Sequence, residues 1–182
     1  LLIRLRGEAL ARALGPFDTA VVFEGEHTLL ELVRHLGDGL PLEGVGNVVT
    51  RRADGTAGYR ARPSMEDLRL LPAPDFNGLP LDLYFTPRAH LTLPYDPTRG
   101  CYWGKCTFCH YGLAEVGTAS YRERLVPTMV EHLAALAARH GTRHFYLSQD
   151  SVAPKTLDKL AQGLVTAGLA LRWGTDLKAE KY

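Results

Sequence analysis

The sequence predicts an α/β fold in two parts, and three observations predict it. Before residue 62 the chain shows a strand–turn–helix unit followed by a β-hairpin. After residue 91 strands and helices alternate, which is the pattern of βαβ units in a parallel sheet. Between them, residues 63–90 contain five prolines and little periodicity, so we predict an ordered connector with a domain boundary inside it.

The first part begins with a predicted helix over residues 1–14, which ends at Gly15-Pro16. An apolar run over residues 19–23 predicts a buried strand. The turn Glu24-Gly25-Glu26 then leads into a helix that ends at Gly37, a combination typical of a parallel α/β layer. We interpret the two glutamates as turn and helix-start residues rather than an acid–base pair, because carboxylates suit a helix N-terminus. The apolar positions at helical spacing are Leu29, Leu30, Leu32, Val33 and Leu36.

A hairpin follows this helix. Residues 47–52 and 56–61 have strand character, and Ala53-Asp54-Gly55 joins them. Asp-Gly supplies the positive φ angles of a tight hairpin turn, so we predict that these two segments pair.

The second part predicts three strands and two helices. An apolar helix face followed by Gly141 marks the end of the first helix, and Pro154 suits the first turn of the second. A long loop separates the first strand from the first helix. The predicted strands are residues 91–93, 145–147 and 169–173, and the predicted helices are residues 126–140 and 154–168.

That long loop holds all three cysteines of the chain, Cys101, Cys106 and Cys109. Their odd number and tight spacing do not suit a disulfide framework. Thiolates are soft ligands for iron–sulfur clusters or zinc, and three of them leave one coordination position open for chemistry. The residues therefore predict a metal or cluster site, and an iron–sulfur cluster is the leading interpretation.

Two other interpretations use the neighbouring His110. A structural zinc held by the three cysteines and His110 has the right number of ligands, although two adjacent ligands would have to fold back onto one metal. The string Cys106-Thr-Phe-Cys109-His110 also matches the attachment pattern of c-type haem. Haem attachment would leave Cys101 unexplained.

The loop Thr98–Cys109 resembles the cluster loop of radical S-adenosylmethionine (SAM) enzymes. Their usual spacing is C-x-x-x-C-x-x-C with an aromatic residue before the last cysteine, and Phe108 stands at that position. This chain has four residues instead of three between Cys101 and Cys106, and Gly104 can bend the backbone there. The resemblance implies a [4Fe–4S] cluster on Cys101, Cys106 and Cys109, with SAM on the open iron. It also implies SAM contacts from Phe108, Ser148, Gln149 and Asp150.

Asp150 has two interpretations. At the end of the predicted second strand it can accept a hydrogen bond from the ammonium group of SAM, or it can cap the helix that starts at Pro154. Lys178 and Glu180, after the third strand, reach the same face or form a solvated pair.

The resemblance extends upstream. Residues 17–32 are similar to the end of the cobalamin-binding domain in one radical SAM subgroup, and Pro74-Asp75-Phe76 in the connector also matches. The resemblance implies the C-terminal part of a Rossmann-like, cobalamin-binding-type domain with a β-hairpin, and then the first half of a partial parallel (β/α) barrel. We expect the first domain over residues 1–62, the connector over 63–90 and the radical SAM domain over 91–182. The chain is interpreted as an internal piece of a longer protein.

Cobalamin is a possible further cofactor, for methyl transfer or a radical rearrangement at carbon. The subgroup's cobalamin ligand lies in an Asp-x-His-x-x-Gly motif that does not occur here, so none of the seven histidines is nominated. The resemblance implies a small-molecule or peptide substrate and a reductant such as flavodoxin or ferredoxin.

Net charge and hydropathy limit which other classes of partner we expect. The net charge is +1 and no basic cluster dominates, so we expect no nucleic-acid partner. No apolar run reaches the length of a membrane span, so we expect no membrane partner. Three unpaired cysteines without a secretion signal fit a reducing cytoplasm.

Overall fold

The computed structural model describes residues 7–61, 65–84, 87, 90–109, 121–148 and 151–178. The chain divides into two compact units, Leu1–Glu66 and Asp67–Tyr182. The division falls inside the Pro-rich stretch for which a boundary is predicted. No helix in the described ranges is both long enough and apolar enough to cross a membrane.

The elements of the first unit are α1 (Gly7–Leu14), β1 (Thr19–Val21), α2 (Glu26–Gly37), β2 (Val48–Arg51) and β3 (Ala57–Gly58). The strands form an antiparallel sheet with the order β1-β2-β3. Ala20 of β1 faces Val49 of β2, and Thr50 of β2 faces Gly58 of β3. A short 3-10 turn at Leu42–Gly44 connects α2 to the hairpin.

The predicted parallel layer of this unit is wrong for the described strands, because β1 pairs antiparallel with β2. A strand followed by a helix fixes the order of the elements but carries no information on the direction of the next strand. The hairpin is confirmed, with Gly55 at φ +80° in its turn. The Asp54 carboxylate accepts hydrogen bonds from the Thr56 hydroxyl at 2.7 Å and N–H at 2.9 Å, and these bonds lower the pKa of Asp54.

The core of the first unit is small. One cluster packs α1 against the sheet, and a second joins Leu32 of α2 to Val45 and Val48. The other apolar positions of α2 are 47–60% exposed, so the predicted apolar face of that helix is only partly buried. The first cluster comprises Leu10, Ala11, Leu14, Val22, Val49 and Ala57.

Helix α2 begins at Glu26, which confirms the interpretation of the Glu24-Gly25-Glu26 turn as the start of a helix. Its N-terminus is capped by Glu66, a buried residue far along the chain. One Glu66 oxygen accepts the His27 N–H at 2.9 Å and the other contacts His27 Nδ1, while Glu24 accepts the N–H of Glu66 at 2.7 Å. A carboxylate at this position accepts hydrogen bonds from N–H groups of the first helical turn, which have no partner within the helix. Its negative charge also interacts favourably with the helix dipole.

The elements of the second unit are β4 (Thr92–Tyr95), β5 (Thr98–Arg99), β6 (Arg122–Glu123), α3 (Val126–His140), β7 (His144–Leu147), α4 (Pro154–Thr166) and β8 (Arg172–Thr175), with a 3-10 turn at Leu81–Leu83. Its main sheet is parallel with the strand order β4-β7-β8, which confirms the predicted parallel arrangement. Helix α3 has the predicted bounds and is followed by Gly141 in the left-handed conformation, φ +64°. The third strand of the sheet, β8, starts three residues later than predicted.

One continuous core fills the space between this sheet and the two helices. Leu93 and Tyr95 of β4 and Phe145 and Leu147 of β7 are at most 2% exposed, and the residues between them point outward. The helices contribute Met129, Leu133, Leu136, Leu157, Leu160 and Leu164 to the same core.

Candidate functional site

The cysteine loop starts beyond the carboxyl end of β4 and is closed at its base by a two-stranded ribbon. Thr98 of β5 faces Glu123 of β6, and Arg99 faces Arg122. The Arg124 N–H donates to the carbonyl of Pro97 at 2.9 Å. Sequence analysis missed this ribbon, since strands of two residues are too short to show a period.

Arg124 anchors the ribbon to the rest of the unit. Its side chain is buried, and it donates to the carbonyls of Leu71 at 2.7 Å and of Leu68 and Pro72 at 3.3 Å. It also donates to the Asp96 carbonyl at 2.9 Å and carboxylate at 3.3 Å. One guanidinium therefore holds the Pro-rich segment, the end of β4 and the cysteine loop together. Sequence analysis did not identify this anchoring role of Arg124, because a polar residue in a loop shows no periodicity that would mark it as buried.

The loop base is also tied to the start of α4. The Tyr121 hydroxyl accepts the Ala153 N–H at 2.9 Å, and the Glu123 carboxylate accepts the Thr156 hydroxyl at 2.6 Å. The Tyr102 ring lies edge-on to Tyr121, with the centroids 6.3 Å apart. Burial raises the pKa of Tyr121, which therefore stays a neutral phenol. The loop is thus fixed beside the segment that follows β7.

The three cysteines are free thiols on this loop. Cys101 and Cys109 are half-buried and Cys106 is exposed. The Cys109 N–H donates to the carbonyl of Cys106 at 3.2 Å, which makes a tight turn between them. Gly104 has φ +59°, so the longer spacing between Cys101 and Cys106 is absorbed at a glycine in the left-handed region.

In the described part of the chain, no three histidine, cysteine or carboxylate side chains are gathered tightly enough to hold a metal ion. The structure thus brings the three thiols to one loop but does not show a closed ligand set. His110 lies outside the described residues. The donor chemistry fits an iron–sulfur cluster, because the loop offers three accessible thiols and no disulfide consumes them.

Three buried hydroxyls in and beside the loop have no hydrogen-bond partner among the described residues, those of Thr98, Tyr102 and Ser151. The Tyr102 N–H approaches the Ser151 carbonyl at 3.5 Å, so the two residues are neighbours. A buried polar group without a partner costs roughly 1–3 kcal/mol, so such groups usually meet water or a ligand. At this edge of the sheet, next to the cysteines, these hydroxyl groups could therefore hydrogen-bond to a ligand or to water.

Trp103 joins the loop to the third strand. The Lys178 ammonium, just beyond β8, lies 3.9 Å from the centre of the indole ring, and Lys105 lies 4.9 Å from it. Sequence analysis left two interpretations for Lys178 and Glu180, a position on the carboxyl face or a solvated pair, and Glu180 lies outside the described residues. Phe108, in contrast, is 92% exposed and covers nothing in the described structure.

Ser148 follows β7 directly. Its N–H donates to the carbonyl of Tyr95 at 2.9 Å, so it lies at the carboxyl edge beside the end of β4. Gln149 and Asp150 lie outside the described residues. The residue at the N-cap position of α4 is Ala153, so the interpretation of Asp150 as the helix cap is wrong. The helix starts four residues after Asp150, too far for the N-cap position.

A neutral pair supports the end of β4. The Tyr95 hydroxyl and His132 Nδ1 are 3.1 Å apart, and Tyr95 is 1% exposed. Burial raises the pKa of Tyr95, while burial and then the Arg124 charge lower the pKa of His132. Both groups therefore stay uncharged near neutral pH.

No family model matches this chain, and no curated protein matches it. Solved structures do. The cobalamin-dependent S-adenosylmethionine radical enzyme OxsB with aqua-cobalamin bound is 20% identical, with a TM-score of 0.68 over 89% of this chain and 23% of that chain. The same enzyme with aqua-cobalamin and S-adenosylmethionine bound has a TM-score of 0.67.

A second enzyme has the same fold over this region. The radical S-adenosylmethionine methyltransferase TsrM from Kitasatospora setae, with tryptophan substrate and a SAM analogue bound, is 19% identical. Its TM-score is 0.65 over 91% of this chain and 33% of that chain. The chain thus spans 23% of the length of the first enzyme and 33% of the second. Over about nine-tenths of its own length, it has the fold of one part of cobalamin-dependent radical SAM enzymes.

Proposed function

We propose that this chain is part of a radical SAM enzyme that binds a [4Fe–4S] cluster through Cys101, Cys106 and Cys109. One observation carries the proposal. The only three cysteines of the chain lie on one loop at the carboxyl end of the first strand of a parallel sheet, in a fold shared with radical SAM enzymes. Active sites of β/α barrels gather at that edge.

When bound, the cluster and SAM together supply reductive cleavage of the sulfonium bond of SAM. The protein's part is to bind, orient and exclude water. The β5–β6 ribbon and Arg124 hold the loop at the edge of the sheet. Trp103 contacts the ammonium groups of Lys105 and Lys178, and the Lys178 contact ties the loop to the segment after β8. No catalytic residue beyond the cluster ligands is assigned.

The segment after β7 is proposed to bind SAM. Ser148, Gln149 and Asp150 follow a strand whose carboxyl end lies beside the end of β4, and a carboxylate there suits the ammonium group of SAM. Phe108 is proposed to contact SAM from the loop; its ring is exposed and free to do so. The unpartnered hydroxyl of Ser151 lies three residues beyond Ser148 and adds a polar group at the same edge.

We further propose that the parent protein uses cobalamin, for methyl transfer or a radical rearrangement at carbon. The support is the fold shared with OxsB, a cobalamin-dependent enzyme, and with TsrM, a methyltransferase. The proposed domains are residues 1–62 for the end of the cobalamin-binding-like domain, 63–90 for the connector and 91–182 for the radical SAM domain. We also propose that the protein is cytoplasmic and acts on a small-molecule or peptide substrate. A flavodoxin or ferredoxin would supply the electron that reduces the cluster.

The test is anaerobic reconstitution of the whole protein with iron and sulfide, followed by EPR of the reduced sample. We expect a [4Fe–4S] signal that changes when SAM is added. Substitution of Cys101, Cys106 or Cys109 by Ala should abolish cluster assembly. His110→Ala is the matched control, and this variant should still assemble the cluster. Stoichiometric zinc without iron uptake, lost in His110→Ala, would replace the proposal with a structural zinc site.

Cobalamin use is tested separately by purifying the protein with hydroxocobalamin and recording its visible spectrum. A retained corrinoid supports it. An intact cluster without corrinoid would leave a radical SAM enzyme that works without cobalamin.

A further inference from the structure

A hollow of about 480 Å³ lies at the amino edge of the parallel sheet, the edge opposite the cysteine loop. It is formed by the residues that precede or begin all three strands of that sheet. Four of its six lining residues carry cationic or titratable nitrogen groups. The lining consists of His90, Gly141, Arg143, His144, Ala170 and Arg172.

Backbone pairing places these groups. His144 of β7 and Arg172 of β8 are partners in the parallel register, and the Arg172 N–H donates to the carbonyl of Arg143 at 2.8 Å. The His90 ring lies edge-on to the His144 ring, with the centroids 5.8 Å apart. Gly141 and Ala170 have little or no side chain, which leaves the space between the basic groups open.

The electrostatic balance of the hollow is positive. Its lining contains no carboxylate, and within the described ranges neither Arg143 nor Arg172 forms an ion pair. Helices α3 and α4 both end at this edge, and a helix C-terminus carries roughly half a negative charge. The positive charge of the two guanidinium groups is larger than the summed negative charge of the two helix ends.

We propose that this hollow binds a small organic anion with at least two negative charges, of the phosphate-ester type. The guanidinium fork matches the oxygens of phosphate, and Arg143, just before β7, and Arg172, at the start of β8, both line the hollow. The volume lies in the range of small-molecule sites, roughly 300–1,000 Å³. A nucleic acid would need an extended basic surface, whereas the basic groups described here line one small hollow. The site is independent of the function proposed for the cysteine loop.

The experiment is calorimetric titration of the whole protein with inorganic pyrophosphate at low ionic strength. We expect one site, and Arg143→Gln and Arg172→Gln should each weaken pyrophosphate binding about tenfold, because each removes a charged hydrogen-bond donor to the anion. Arg139→Gln is the matched control. It removes the same charge from the last turn of α3, outside the lining, and we expect less than a twofold change. All three side chains are exposed, so the variants keep the fold.

Equal weakening in all three variants would show diffuse attraction to the net charge and overturn the site, as would unchanged binding in Arg172→Gln. A second titration uses a 20-nucleotide DNA duplex. Tighter binding of the duplex than of pyrophosphate, lost in the same two variants, would overturn the small-ligand proposal in favour of a nucleic-acid surface.

Discussion

The core of the second unit and its cysteine loop are held together in different ways. The core consists of aliphatic and aromatic side chains on strands and helices that alternate in the sequence. The described part of the loop contributes no residue to this core. A buried arginine, two tyrosines and a cation–π contact between a lysine and an indole tie it to the rest of the unit. The core tolerates the loss of one contact among many. The loop depends on few contacts, and each is polar, directional and distant in sequence.

Among the contacts that hold the cysteine loop, we expect the loss of those of Arg124, in the Arg124→Met variant, to have the largest effect on stability. The substitution removes the donor to several buried carbonyls and to one Asp96 oxygen, while Arg99 still donates to the other Asp96 oxygen. A buried carbonyl left without a donor costs roughly 1–3 kcal/mol, so the carbonyls affected here should together cost about 3–5 kcal/mol. We expect that loss in the free energy of unfolding, measured by urea denaturation. Arg139→Met, an exposed arginine, should change it by less than about 0.5 kcal/mol. Similar losses in both variants would remove the special role of Arg124.

Leu133→Ala tests the core side. Leu133 is 1% exposed and packs between α3 and the sheet, so its truncation should cost about 3 kcal/mol, within the usual range for buried leucines. Val165→Ala in α4, where the side chain is 79% exposed, is the control and should be nearly neutral. We expect Leu133→Ala to lower stability while a reconstituted cluster still assembles below the melting temperature. Selective loss of the cluster with unchanged stability would contradict the separation of core and loop.

Tyr121→Phe sharpens the comparison, because it removes one oxygen and keeps the ring. The Ala153 N–H loses its acceptor, and we expect a loss of about 1 kcal/mol. Hydrogen exchange should become faster at the start of α4 and unchanged in α3. Tyr84→Phe, an exposed tyrosine in the same unit, is the control. Exchange that speeds up equally in both helices would show a global effect instead.

Lys178→Gln should have a small effect on stability, about 0.5–1 kcal/mol for an exposed cation–π contact. The sharper measurement is the fluorescence of Trp103, whose ring lies 3.9 Å from the ammonium. In a Trp173→Phe background the emission of Trp103 should shift on Lys178→Gln and stay the same on Lys159→Gln. An unchanged spectrum would mean that the lysine does not rest on the indole in solution.

The smallest expected effect is a pH dependence from His132. Its pKa in the folded protein is lowered, mainly by burial, so the unfolded chain binds a proton more readily. Stability from this group is therefore present above its unfolded pKa, near 6.5, and is lost as the pH falls below that value. His132→Gln should flatten the stability curve between about pH 5 and 7. A curve as steep as that of the parent protein would assign the dependence to other groups.

The sequence by itself determined the order and type of most elements. Helix α3 has the predicted bounds, the hairpin forms around Asp54-Gly55, and the parallel sheet appears where strands and helices alternate. These features depend on periodicity, glycine and proline, which act within a few residues. The spacing of the cysteines was likewise enough to locate the candidate site on one loop.

Only the tertiary structure decided the rest. The direction of β1, the short ribbon at the base of the loop, the Glu66 cap on α2 and the Arg124 anchor all join residues far apart in the chain. The hollow at the amino edge likewise exists only because parallel pairing brings Arg143 and Arg172 together. A buried charge carries no periodic signal, since its partners are backbone carbonyls and N–H groups that every residue possesses. Which of these groups lies within reach is settled when the elements pack.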